Sequence, residues 1–238
     1  MTLDLTDILK LALVASGTAL TDSSPQIETP KLSDLGLKGD RPLVIVDVDE
    51  VLGLFMQGFG TYLADQGLEF RLDKFALFQN IYRPGEDQHL ELELGRGHFD
   101  AYFSGPCGDM PLAPGGPEAL RSIARQAHVL ILTNAPSQAR QARSAWLQRH
   151  GMDYPLLLNS GPKGPLVAAL TQQVTLPVAF VDDLLSNLDS VAEHAPRTAR
   201  FQSVADPRLR TLAPARLDFH TRIDDWSQLG PAIEAHIS

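Results

Sequence analysis

Four short stretches of this chain carry side chains suited to chemistry on a bound anion. The first is Asp47-Val48-Asp49, which ends the apolar run Leu43-Val44-Ile45-Val46. Such a run reads as a strand buried in a parallel sheet, and residues i and i+2 share a face, so the two carboxyls converge where the strand exits. Like charges that close repel unless a cation, a shared proton or a substrate stands between them. The second stretch is Thr133-Asn134, which closes the apolar residues 128–132. Lys163, just past the short apolar stretch 156–158, is the third, and Asp182-Asp183, ending residues 178–181, is the fourth. Taken singly, each has a plain structural account: a turn, a helix cap or a surface lysine. Together they place the groups for phosphoryl transfer at successive strand ends. Carboxylates can hold Mg²⁺, while a hydroxyl, a backbone N–H and a lysine neutralise phosphoryl oxygens.

Parallel strands deliver these ends to one edge of a sheet, where open α/β sheets bind ligands. The pattern around them supports that arrangement. Helices are expected over residues 117–126, 136–150, 163–173, from Asp183 to about 194, and after Trp226. Strands are expected at 43–46, 128–132, 156–158, 178–181 and 199–204. Strands alternating with helices of this length imply an α/β fold, a parallel sheet covered on both faces.

One connection is far too long. Asp47 and Thr133 are 86 positions apart, whereas a plain βαβ unit needs about 30 residues. The intervening residues hold a concentration of aromatic side chains, among them Phe55, Phe59, Phe99, Tyr102 and Phe103, as expected of a small module with its own core in which one or two rings face a substrate. Acids outnumber cations there, which suits a substrate with one phosphate better than a polyanion. Arg83 and Arg96 are the candidates for anchoring a distal anion.

With 238 residues, 44% of them hydrophobic, the chain suffices for one core plus an inserted module. A formal net charge of −9 argues against a general binder of nucleic acid or of anionic membranes, either of which needs a positive field. The single cysteine, Cys107, excludes an intramolecular disulfide or a cysteine-based zinc cluster and fits a reducing cytoplasm. Residues 1–7 are acidic rather than basic, which counts against a secretory signal, and the apolar run 9–20 is short for a membrane span. Residues 1–40 therefore read as an N-terminal helix and linker, and that helix offers a surface for a homodimer.

The order Asp-x-Asp-x-Val-Leu, an apolar strand with Thr-Asn, a lone Lys, then apolar-Asp-Asp-x-x-x-Asn resembles the four motifs of the haloacid dehalogenase-like hydrolase superfamily, over residues 43–187. The resemblance implies a Rossmann-like three-layer core at residues 41–53 and 111–238, with a mainly helical cap of the first type inserted at 54–110. It implies a phosphatase. Asp47 would be the nucleophile and Asp49 the acid and base, with Thr133, Asn134 and Lys163 holding the phosphoryl group. Mg²⁺ would be held by Asp47, Asp49 and Asp183, with Asp182 as a second ligand or outer partner and Asn187 in support. Asp49 favours phosphoester hydrolysis, because family members that cleave carbon–halogen bonds lack the second acid. Glu50 stands where many phosphatases of the family carry glycine, which leaves the local loop shape open.

The expected substrate is a small phosphorylated metabolite, a nucleotide monophosphate or a sugar phosphate. Two alternatives are a phosphonate hydrolase, for which Lys74 is the one lysine in the insert, and a catalytically silent module whose acids bind a cation. A phosphorelay receiver domain gathers similar groups, but it is about half as long and orders its acids differently.

Overall fold

The computed structural model describes residues 30–238. The expected helix of the N-terminal extension lies outside them. In the linker, Leu32–Leu35 forms one 3₁₀ turn, ended by Gly36 in the left-handed region at φ 69°.

The chain enters the sheet with β1 (Leu43–Val46), buried along its whole length. The inserted segment follows. It contains α1 (Phe55–Asp65), the short antiparallel pair β2 (Glu69–Phe70) and β3 (Ile81–Tyr82), and α2 (Leu92–Phe103). Next come α3 (Gly116–Ile123), β4 (His128–Asn134), α4 (Arg140–Arg149) and β5 (Leu156–Asn159). The chain continues through α5 (Gly164–Thr171), β6 (Val178–Asp182), α6 (Leu185–His194) and β7 (Ala199–Gln202), and ends with β8 (Thr221–Arg222) and α7 (Trp226–Ile237).

Six strands form one sheet in the order β5-β4-β1-β6-β7-β8, with every pairing parallel. Alternation along the strands divides the core into two faces. Val44, Val46, Val129, Ile131 and Val181 pack with Leu120, Trp146, Trp226 and Ile233 of α3, α4 and α7. Leu43, Ile45, Leu130, Leu132 and Phe180 pack with Val167, Leu170, Leu188 and Val191 of α5 and α6. The fold is thus the three-layer, Rossmann-like α/β architecture expected.

Among the differences from the sequence reading, three bear on the site. Thr133 and Asn134 belong to β4 itself. The strand expected to run to residue 204 stops at Gln202, because Val204 N–H turns to the Asp224 carboxylate (3.0 Å) and Ala205 N–H to the Glu50 carbonyl (2.7 Å). The aromatic residues of the insert do not form a separate core. Phe55 packs against Phe59, Tyr102 and Phe103 with ring centroids 5.6, 5.6 and 5.9 Å away, and this cluster runs without a break into the one under Val44 and Val46.

Candidate active site

β1 is central, flanked by β4 and β6, and this fixes the site. Asp47 follows β1 directly, with its N–H donating to Val181 O of β6 (3.0 Å). Thr133 and Asn134 end β4, and Asp182 ends β6. The loop after β1 folds back on itself, as Val48 O accepts from the N–H groups of Leu52 and Gly53, both at 2.9 Å. Trp226 at the start of α7 donates its indole N–H to Val51 O (2.9 Å) and so pins the same loop from the far end of the sequence.

Lys163 is the hub. Its ammonium lies 2.9 Å from Asp47 Oδ1 and 2.7 Å from Asp182 Oδ2, and none of the residue is exposed. Burial alone would lower its pKa, but the Asp182 and Asp47 carboxylates outweigh burial and hold the ammonium charged. The lysine is not a surface residue because the chain around it is tightly seated: a Cβ on Gly164 would lie 2.2 Å from Ser190 O of α6, so only glycine lets α5 start there. Asp182 is further held by Leu184 N–H (3.0 Å) and by the Asn187 amide (3.0 and 3.2 Å).

The acids outnumber these cations, and burial raises them. Asp182 is pushed up to about 6 by burial, against the pull of Lys163. Burial, then the charges of Asp182 and Asp47, push Asp183 well above the carboxylate range. One oxygen from each of Asp47, Asp182 and Asp183 falls within 4.8 Å of the others. Such a buried oxygen-rich set fits a hard divalent cation. Thr133 Oγ1 is fully buried and has no hydrogen-bond partner, as expected of a group whose acceptor or donor arrives with a ligand. Asn134 instead commits its side chain, donating to Gly161 O (3.0 Å) and accepting from Asn159 (2.8 Å).

A cavity of about 50 Å³ opens onto this cluster. Asp47, Asp49, Glu50, Asn134, Asp183, Leu184 and Asn187 line it from the strand ends. Phe55, Met56, Leu77, Phe99 and Phe103 line it from the insert, three rings where one or two were expected. The other insert candidates are elsewhere. Lys74 is exposed and does not line the cavity. Arg83 pairs with Glu86 at 3.6 Å on the surface, and Arg96 does not line the cavity.

Two features go beyond the sequence reading. Glu50 is the one non-glycine residue with positive φ (56°) among the described residues, so the position has the left-handed backbone that favours glycine. Its Oε1 accepts from Met56 N–H at the start of α1 (2.7 Å), Oε2 is buried without a partner, and burial pushes its pKa up to about 8. The second feature is Arg143 of α4, fully buried, whose guanidinium donates to Asp49 Oδ1. Burial raises the Asp49 pKa, and Arg143 opposes that rise.

No family model and no curated protein matches the chain. Solved structures do. A candidate HAD-hydrolase from Bacillus subtilis bound to magnesium superposes with a TM-score of 0.56 at 10% identity, over 81% of this chain and 98% of that one. A HAD-superfamily hydrolase of subfamily IA, variant 1, from Geobacter sulfurreducens gives 0.53 at 16% identity, over 82% and 97%. A candidate beta-phosphoglucomutase from Thermotoga maritima gives 0.52 at 14% identity, over 82% and 99%. The fold is therefore that of the haloacid dehalogenase-like hydrolases.

Proposed function

We propose that this protein is a Mg²⁺-dependent phosphatase that hydrolyses a small phosphomonoester through an aspartyl-phosphate. The observation that carries the reading is the Lys163 bridge between Asp47 and Asp182, at 2.9 and 2.7 Å, beside a third buried acid, Asp183. It gives a nucleophilic carboxylate a fixed partner and leaves negative charge over for a cation.

In the first step an Asp47 oxygen attacks phosphorus and the ester P–O bond breaks. Asp49 gives its proton to the leaving alkoxide, so the alcohol departs neutral. In the second step Asp49, now a carboxylate, takes a proton from water as the water oxygen attacks phosphorus. The bond to Asp47 breaks, releasing inorganic phosphate. Thr133 Oγ1, the Asn134 backbone and Lys163 hold the phosphoryl oxygens. Asp47, the Asp49 main-chain oxygen and Asp183 would hold Mg²⁺, which when bound neutralises charge on the phosphoryl oxygens. Asp182 has its oxygens engaged by Lys163, Leu184 and Asn187, which suits an outer partner that orients the lysine. The insert acts as a cap that keeps bulk water from the aspartyl-phosphate.

The decisive experiment compares wild type and Asp47→Asn on p-nitrophenyl phosphate with Mg²⁺. Release by wild type alone supports the reading; equal release by both, or none, removes it. The catalytically silent alternative draws on one observation, the Asp49 carboxylate already engaged by Arg143. Asp49→Asn decides between them: an active phosphatase loses turnover yet still binds phosphate.

A further inference from the structure

The cavity over Asp47 has two chemically different halves. On the strand-end side the lining side chains are acids and amides, with Leu184 the one apolar exception. Both amides are committed, Asn134 to Gly161 and Asn159, Asn187 to Asp182. The remaining oxygen of Glu50 is buried on this side too, near enough to Asp183 for the two charges to oppose each other. The insert side is formed by Phe55, Met56, Leu77, Phe99 and Phe103, and none of these offers a hydrogen bond. No lysine or arginine lines either half.

With the phosphoryl group and the cation among the acids, the leaving group must point at the apolar half. A hydroxyl placed there would give up its water without a replacement partner, and a second phosphate would meet no cation.

We infer that, on the phosphatase reading above, the substrate is the monophosphate of a small apolar alcohol, and that Leu77, Phe99 and Phe103 set this preference. The sugar phosphates and nucleotides expected from the sequence are then poor substrates.

The test is a pair of isosteres, 2-methylbutyl phosphate and glycerol 1-phosphate, in which two hydroxyls replace two carbon groups. Glycerol is the better leaving group, so intrinsic reactivity works against the expected order. Wild type with Mg²⁺ should show kcat/KM for the apolar ester about tenfold to a hundredfold above that for glycerol 1-phosphate. Leu77→Asn, checked for native circular dichroism, should narrow this ratio by about tenfold. Equal or reversed preference in wild type, with clear hydrolysis of p-nitrophenyl phosphate, overturns the inference and leaves the phosphatase reading standing. An unchanged ratio in folded Leu77→Asn overturns the role of that wall. Failure to hydrolyse any of the three esters overturns both proposals.

Discussion

Arg143 and Asp49, 94 residues apart, form an ion pair, fully buried on the arginine side, across the boundary between α4 and the loop after β1. The same guanidinium lies 3.6 Å from Met110 Sδ and over the Phe103 ring, 5.2 Å from its centroid. One arginine therefore touches the candidate acid, the last helix of the insert and the segment that returns to the sheet.

Arg143→Met should destabilise the protein by about 2 kcal/mol, since it removes the counterion of a largely buried carboxylate. The penalty should be larger at pH 8 than at pH 5, because burial raises the Asp49 pKa and a proton can replace the lost partner as pH falls. Urea unfolding at the two pH values measures this, and a pH-independent penalty would show that Asp49 does not depend on Arg143.

Lys163→Met leaves Asp47 and Asp182 facing each other with no cation between them. The cation-free variant should lose about 3 to 5 kcal/mol, and turnover of p-nitrophenyl phosphate should fall by about 10² or more. Differential scanning calorimetry with and without Mg²⁺ separates the effects: added cation should recover part of the melting temperature but not the rate.

Burial raises Asp182 to about 6 and Glu50 to about 8, and raises Asp183 well above its ordinary value. The folded protein therefore binds more protons than the unfolded chain above the ordinary carboxylate range. The sign follows: without a cation, stability contributed by these groups is present at low pH and is lost as pH rises toward 8. Mg²⁺ must displace those protons, so its affinity should rise with pH, and calorimetry at pH 6 in buffers of different ionisation enthalpy should register proton release. Binding that is indifferent to pH would contradict the assignment.

Glu50 holds α1 through Met56 N–H yet sits at a backbone φ of 56°. Glu50→Ala loses the hydrogen bond and keeps the strained Cβ, whereas Glu50→Gly loses the bond and relieves the strain. The glycine variant should be the more stable of the two by about 1 kcal/mol. Equal unfolding midpoints would mean that the loop relaxes out of the left-handed conformation.

The strand ends were legible because short apolar runs rich in Val, Ile and Leu stop abruptly at Asp47, Thr133 and Asp182, and a parallel sheet leaves no other place for those ends to go. Lys163 was legible only in company, because nothing local marks a lysine between Pro162 and Gly164 as buried; the signal was its position after β5. Arg143 was missed among the arginines of α4, although it lies three and four residues before the buried Trp146 and Leu147 and so shares their face. β8 has two residues, too few for any period to register. The cavity wall was illegible for a different reason. Which aromatic residues face inward depends on how the insert rests on the sheet, and no local spacing encodes that contact.

The indole of Trp226 reaches Val51 across 175 residues, and it secures the very loop that carries Asp49. During synthesis the acids of β1 emerge well before the side chain that locks their loop. The loop that carries Asp49 should thus gain its lock only after every strand of the sheet has been made.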